Sequence, residues 1–400
     1  MKPLDTLVPL ETAIELIDKV IHPVERMETL PIDDALGRVL AADFTATHST
    51  PPFDRATMDG YAVVASDTTS ASQETPIALK IIEEVFAGSV PQKRVSNGEA
   101  IQIATGAGMP VGADAVVMVE ETRRDGDVVY ICKTSAAGNN ITLEGSDIME
   151  GELIHKAGIF LDPAKIGVLA SQGLKKVTVY VKPSIAIMPT GEEIVSIGHR
   201  LKEGQIYDIN SHALASVIRQ NGGIPLVLPI TGDDIKNLKT SLEKALTYDM
   251  VVTSGGSSVG EKDFLSEILA TMGEVKFHGV KLKPGKPTAF AVIKGKAVLG
   301  MPGYPTSCLI NAYLLLAPAV RKMAHLPAGN KAEVAAKLGE SIKGAAGRVM
   351  FLPVRLEGNK VYSVFKDSGA ITSVARADGY VVVPQDTELP EGAGVSVTLF

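Results

Sequence analysis

The chain reads as a multidomain α/β protein, and three observations carry that expectation. Its 400 residues exceed the roughly 250 to 300 at which single cores stop growing, so two to four domains are expected. From Ser184 to about Ala324, apolar runs alternate with amphipathic helical patterns. That is the βαβ signature of a mainly parallel sheet covered by helices on both faces. The stretches from Met58 to Ile141 and from about Gly347 to Phe400 instead carry short apolar runs separated by turns at regular intervals, the pattern of small β domains.

In chain order, residues 1–45 read as helical. Leu10, Ile14, Ile17 and Ile21 recur at helical spacing and describe an amphipathic packing face, with a second short helix around Asp33 to Leu40. YAVVAS, IALKIIEEVFAG, AIQIAT, DAVVMVEE and DVVYICK then supply strands of a β domain inserted before a helical stretch around Pro163 to Gly173. The expected parts are therefore a discontinuous helical domain (1–45 and 142–180), a β insert (46–141), an α/β domain (181–327) and a final β domain (328–400). In the α/β part, SIAIMPT, IPLVLPI, DMVVTSGG and KAVLGMPG read as strands. The helices between them start at Asp or Ser caps, and one ends at Gly222-Gly223. RVMFLPVRLEG, KVYSVF, YVVVPQ and VSVTLF make up the last part.

Composition narrows the function. Hydrophobic residues are 45% and charged residues 21%, and no apolar stretch approaches the roughly 20 residues needed to span a bilayer. The first residues lack the apolar core of a signal peptide, so a cytoplasmic location away from membranes is expected. A net charge of −7 argues against a nucleic-acid partner, which needs a basic field. Any anion site must be local. Cys132 and Cys308 lie far apart with no CxxC spacing, which excludes a disulfide framework or thiolate zinc site and marks both as inert buried thiols. The seven histidines show no HExxH or paired spacing.

Three punctuated loops, SGGSSVGEKD, KLKPGKP and GMPGYPTS, follow one another between Ser254 and Ser307. The first stands between a strand pattern and a helix beginning near Asp263, where free backbone N–H groups and the helix dipole favour an anion. Glu261 and Asp263 beside such a turn imply a divalent ion between carboxylate and phosphate. Gly256-Ser-Ser258-Val-Gly260 also fits the GxSxG nucleophile elbow, for which His278 and His325 are the later histidines, and a plain structural turn is the third reading. Lys281, Lys283 and Lys286 place cations on a loop stiffened by Pro284 and Pro287; a solvated charge run is the alternative to an oxyanion cradle. Strand carboxyl ends are where ligands sit in open α/β sheets, and PTGEE, TSGGSSVG and GMPGYP all fall there. PPFDRATMDGYAV gathers Asp54, Arg55 and Asp59 at the entry to the β insert, where Asx-turn caps compete with a site. Thr105-Gly-Ala-Gly-Met-Pro-Val-Gly112 lacks the spacing of a dinucleotide fingerprint.

In order, PPFDRATMDGYAV, ATGAGMPVGADAVVMVEE, MPTGEEIV, GQIYDINS, SGGSSVGEKD, KLKPGKPTAF, GMPGYPTS and SVARADGYVVVP resemble the motifs of the MoeA-type molybdopterin molybdenumtransferases over almost the whole chain. The resemblance implies a three-layer molybdopterin-binding α/β domain with a helical part, an inserted β domain and a C-terminal β-barrel-like domain. It also implies a homodimer whose active site forms where the α/β domain of one subunit meets the first half of the other, with molybdopterin adenylyltransferase as a possible partner. The implied reaction inserts molybdate into adenylated molybdopterin with release of AMP, using magnesium. The alternatives the resemblance leaves are a paralogue that takes tungstate, a non-catalytic scaffold like the gephyrin-like relative that also organises receptors, and a related enzyme of the α/β domain alone, a molybdopterin adenylyltransferase or a CinA-type nucleotide-processing protein.

Carried over by motif, Asp59, Thr105, Glu193, Asp263, Lys283 and Lys286 are the implied catalytic set, with Asp59, Glu193 and Asp263 around the magnesium. Glu193 stands in the acidic pair Glu192-Glu193. Gly255, Gly256, Ser257, Ser258, Pro302 and Ser307 are the implied substrate contacts of the α/β domain. Arg348, Ser373 and Arg376 are those of the last domain. Backbone amides, lysines and a metal are the groups that a pterin phosphate, an AMP group and an oxyanion require.

Overall fold

A computed structural model describes residues 7–232, 234–255, 264–329 and 331–400. The chain divides into two compact units, a larger one of Met1–Thr29, Gly37–Val39 and Thr178–Phe400 and a smaller one of Leu30–Leu36 and Leu40–Val177. The larger unit opens with α1 (Leu10–Val20), which buries Leu10, Ala13 and Ile17 at helical spacing. Glu11 in its first turn and Lys19 in its last complement the helix dipole. The second helix expected around Asp33 to Leu40 is instead one 3-10 turn, Ile32–Asp34. Gly37 takes φ +74°, where helices stop, and Leu40 N–H donates to Ile159 O in a strand-like contact.

The smaller unit is built on β1 (Gly60–Val63), β2 (Ile77–Val85), β3 (Glu99–Ile103), β4 (Ala115–Met118), β5 (Thr122–Asp125) and β6 (Val128–Ile131). They form one sheet in the order β4-β1-β3-β2-β6-β5, antiparallel except between β2 and β3. Tyr61, Val63, Leu79 and Val117 bury one face, and Ala62, Ile101, Ile103 and Val116 the other. The following stretch, read from the sequence as helical, holds short strands at Ile141–Thr142 and Leu153–His155 and the helix α2 (Pro163–Ser171). Asp162 caps α2 by accepting Lys165 N–H at 3.0 Å, and Pro163 opens it where no backbone donor is needed.

The α/β part of the larger unit runs β7 (Ser184–Pro189), α3 (Asn210–Gln220), β8 (Ile224–Val227), α4 (Ile235–Ala245), β9 (Met250–Ser254), α5 (Phe264–Met272), β10 (Glu274–His278), β11 (Ala289–Ile293), β12 (Lys296–Met301), α6 (Pro305–Asn311) and α7 (Ala317–Met323). The sheet order is β8-β7-β9-β12-β11-β10. The first four strands are parallel. Of the last two, β11 runs antiparallel to both its neighbours, Lys294 (φ +50°) and Gly295 (φ +75°) turning it straight back into β12, and β10 runs in the direction of the first four. Ile185, Ile187, Val252 and Leu299 pack with α1, α3, α6 and α7, whereas Ala186, Met188, Val251 and Val298 pack with α4 and α5. Side-chain alternation thus produces three layers.

β13 (Glu333–Leu338), β14 (Val349–Glu357), β15 (Lys360–Ser363), β16 (Gly379–Val383) and β17 (Gly394–Leu399) follow. Each pairs with two others in the ring β14-β15-β13-β17-β16, and β16 returns to β14, so the sheet closes as a barrel. Leu338, Leu352, Val354, Val361, Val381 and Val397 fill it. Closure leaves no open edge among these strands. Leu282 and Lys283 add a short parallel pairing to Val349 and Met350 at the start of β14.

Candidate functional site

Three parallel strands end level with one another. Pro189 of β7, Ser254 of β9 and Met301 of β12 stand side by side in register. The loops after them therefore leave the sheet at one height, at the strand carboxyl ends where α/β proteins hold ligands. A cavity of about 620 Å³ lies there, lined by Glu193, Lys283, Lys286, Pro302, Ser307 and Arg348, with Gly255, Asp208, Asn210 and Tyr304 beside them.

Local backbone demands account for much of the wall. Gly255 takes φ +92°, and a Cβ there would sit 2.4 Å from Thr190 O, so only glycine lets the β7 and β9 loops approach. Ile206 N–H donates to Glu193 O at 2.9 Å and fixes the turn that presents the Glu193 side chain. Its neighbour Glu192 is not among the lining residues. The lysine loop is closed at its base by Gly279 N–H to Thr288 O (2.8 Å) and Val280 N–H to Lys286 O (3.0 Å). The pairing of Leu282–Lys283 with β14 brings Arg348 to the same wall, while Lys281 is exposed and outside the lining. Asn210 Nδ2 donates to Gly303 O (2.8 Å), and Thr306 donates through N–H to Ser368 O (3.0 Å) and through Oγ1 to Ala370 O (2.8 Å). These bonds tie the Pro302–Ser307 turn to α3 and to the barrel.

The result is a cationic wall in an acidic protein. Lys283, Lys286 and Arg348 face a cavity that also carries Glu193 and the nearly buried Asp208, whose Oδ1 accepts Ser211 N–H at 3.0 Å. Point-charge lysines and a forked guanidinium suit phosphate and oxyanion groups. Asp208, Asn210, Tyr304 and Ser368 line the cavity although the sequence did not single them out. Asp208 and Asn210 lie in GQIYDINS, whose position after Glu193 was the available signal.

Other expected residues stand elsewhere. Ser373 is fully buried, with Oγ accepting Lys366 N–H at 3.0 Å, and Arg376 is exposed at the end of the short helix Thr372–Ala375; neither lines this cavity. Gly256, Ser257, Ser258, Glu261 and Asp263 lie outside the described residues. The serine of the elbow reading is among them. His325, one of its two histidines, stacks on Tyr180 at 3.6 Å between ring centroids, and its Nε2 lies 3.0 Å from Val24 O. Cys132 and Cys308 are buried and free, and burial and then Asp208 push the Cys308 thiol pKa up, as inert thiols require.

In the smaller unit, Asp59 and Thr105 meet. Thr105 donates to Asp59 Oδ1 through its backbone N–H (2.7 Å) and its hydroxyl (2.8 Å). The backbone bond, then the hydroxyl bond, hold the exposed Asp59 carboxyl below its ordinary pKa. The Asx-turn reading of this segment does not hold, because Asp54 Oδ1 likewise accepts from a distant residue, Glu144 N–H, at 2.7 Å. Among the described residues no three His, Cys, Asp or Glu side chains gather as a metal group. Magnesium commonly takes one or two carboxylates together with substrate phosphates and water, and the cavity lining includes the carboxylates of Glu193 and Asp208.

Glycine turns and cations converging at the carboxyl ends of parallel strands define a phosphate- or oxyanion-binding α/β protein. Comparison with known proteins narrows that class. Residues 8–173 match the "MoeA N-terminal region (domain I and II)", 187–322 a "Probable molybdopterin binding domain", and 335–400 the "MoeA C-terminal region (domain IV)". The chain is 34% identical over 339 residues to a molybdopterin molybdenumtransferase of Nostoc sp., covering 82% of this chain and 78% of that one. It is 32% identical over 389 residues to one of Staphylococcus epidermidis, covering 96% and 93%. A crystal structure of a molybdopterin biosynthesis MoeA protein from Pyrococcus horikosii superposes with a TM-score of 0.86 at 42% identity, covering 98% of this chain and 99% of that one. The chain belongs to the MoeA family.

Proposed function

We propose that the protein is a molybdopterin molybdenumtransferase, inserting molybdate into the dithiolene of adenylated molybdopterin and releasing AMP. The observation that carries this reading is the joint presence of Lys283, Lys286 and Arg348 on one cavity wall, with Glu193 on the same cavity. Each substrate is an anion, and so are both parts of the phosphate anhydride that breaks. Lys283 and Lys286 hold these charges at fixed points and Arg348 grips them through a planar fork, which stabilises charge building on the departing AMP phosphate. The cavity volume of about 620 Å³ falls within the range of small-molecule sites and admits a nucleotide-sized ligand. Pro302 and Ser307 complete the lining.

Magnesium is part of the proposal. It would be held by Glu193 and, from motif position, by Asp263, and it would supply charge neutralisation at the anhydride. We further propose a homodimer in which Asp59 and Thr105 of one subunit act with the α/β cavity of the other, in the cytoplasm. Among the described residues no helix is long and apolar enough to cross a membrane.

The deciding experiment incubates the purified protein with adenylated molybdopterin, magnesium and either molybdate or tungstate, and follows AMP. Molybdate-dependent AMP release together with metal-loaded product is expected. Release that needs tungstate would move the assignment to that oxyanion, and no release with either would defeat it.

A further inference from the structure

We infer that Asn311 is a positioning residue for Lys283 and Lys286. This rests on the reading of the lysine loop as an anion-holding wall. Asn311 is fully buried at the C-terminal end of α6. Its Nδ2 donates to Gly285 O at 3.0 Å and to Thr288 Oγ1, and Thr288 Oγ1 in turn donates to Gly285 O at 2.9 Å. A closed triangle results, with Gly285 O receiving two donors. A backbone carbonyl can only accept, so the atom of Asn311 facing it must be the amide nitrogen, which fixes the side-chain orientation.

Gly285 lies between the two lysines. It takes φ +112°, and a Cβ there would stand 2.3 Å from Asn311 Oδ1, so the loop backbone rests directly on the asparagine side chain. Asn311 Oδ1 is buried without a hydrogen-bond partner among the described residues. An orphaned buried acceptor is a cost that an apolar side chain of similar size would remove. What an apolar side chain cannot do is donate to the loop. Ser307 stands one helical turn earlier on α6, on the same helix face, and lines the cavity. One short helix thus carries a residue that lines the cavity and the clamp behind its lysine loop.

The test compares Asn311→Leu, Thr288→Val and Thr288→Ser in the full-length protein. Acylation of Lys283 and Lys286 is read by mass spectrometry against the exposed Lys239 on α4, and AMP release gives KM and kcat separately. In Asn311→Leu and Thr288→Val the labelling ratio should shift more than about threefold and KM for adenylated molybdopterin should rise roughly 10- to 100-fold, with kcat changed less. Thr288→Ser, which keeps the hydroxyl, should restore both. A purely structural Asn311 would lower the melting temperature yet leave ratio and KM of the folded protein within about twofold. That outcome overturns the inference, as does a shifted ratio with an unchanged KM. If the unaltered protein releases no AMP, the proposed function fails while the labelling ratio still decides the role of Asn311. Thr288→Val, close to isosteric, keeps the test open if the leucine variant does not fold.

Discussion

Lys283 and Lys286 are close enough in sequence to suggest a common task, and the cavity places both on one wall with Arg348. Preorganised cations at developing charge are worth roughly 10²- to 10³-fold in rate, so Lys286→Ala should lower kcat/KM for AMP release by about that factor. Lys286→Arg should recover part of it, since the charge remains but the point geometry does not. An activity within about threefold of the unaltered protein in Lys286→Ala would remove the lysine from the site. Asp59 offers a test through pH. Two bonds from Thr105 hold its pKa below the ordinary carboxylate value, the backbone N–H first and the hydroxyl second. If the carboxylate form is the working one, activity persists in acid down to that lowered pKa. Thr105→Ala removes the hydroxyl bond only, raises the Asp59 pKa, and should move the acid limb of the kcat/KM profile to higher pH. An acid limb that stays in place would mean that Asp59 does not titrate in catalysis.

Elements succeed or fail as local patterns do. β7, β9 and β12 were legible because their apolar runs end at Pro189, Ser254 and Met301 just before glycine- and proline-bearing loops, and strand register then makes the loops converge. The 3-10 turn at Ile32–Asp34 was misread as a helix because apolar spacing alone does not reveal a left-handed Gly37 or a distant partner for Leu40. The β14 contact of Leu282–Lys283 was likewise hidden, since it joins residues far apart in sequence. The start of β9 depends on such a contact too. Asp249 receives Arg26 Nη1 on Oδ1 (2.9 Å) and Nη2 on Oδ2 (2.7 Å), and Ser184 N–H and Oγ on Oδ2 (2.8 and 2.7 Å). Burial pushes its pKa up, but the Arg26 and Ser184 bonds outweigh burial and the net shift is downward. Asp249→Asn should therefore cost about 2 kcal/mol at neutral pH by urea unfolding, discounted for the exposed Arg26 side chain. The unfolded carboxyl takes its proton near pH 4 and the folded one only at lower pH. The contribution is thus complete above about pH 4 and is lost as pH falls through the folded pKa. The stability gap between the two proteins should narrow only in that acid window; a gap that is constant from pH 7 to pH 3 would show that ionisation of Asp249 is not its source.

The whole molecule joins what no single motif shows. The cationic wall needs the α/β loops, Arg348 just before β14 and Ser368 from the loop after β15, all in the larger unit. Asp59 and Thr105 belong to the smaller unit. Separate motifs point to both halves of the proposed site, but the proposed pairing of one subunit's Asp59 with its partner's cavity would be a property of an assembly. A mixing experiment addresses it. Asp59→Ala spoils the contribution of the smaller unit, and Lys286→Ala spoils the cavity. If each site takes Asp59 from one chain and Lys286 from the other, a dimer of the two variants has one site with both defects and one with neither. Random exchange makes half the dimers mixed, so activity should return to about a quarter of the unaltered level from two inactive parents. If each site were built within one chain, every site would carry one defect and mixing would recover nothing. Exchange is verified independently by native mass spectrometry of differently tagged chains, so that an absent recovery in confirmed mixed dimers counts directly against the shared site.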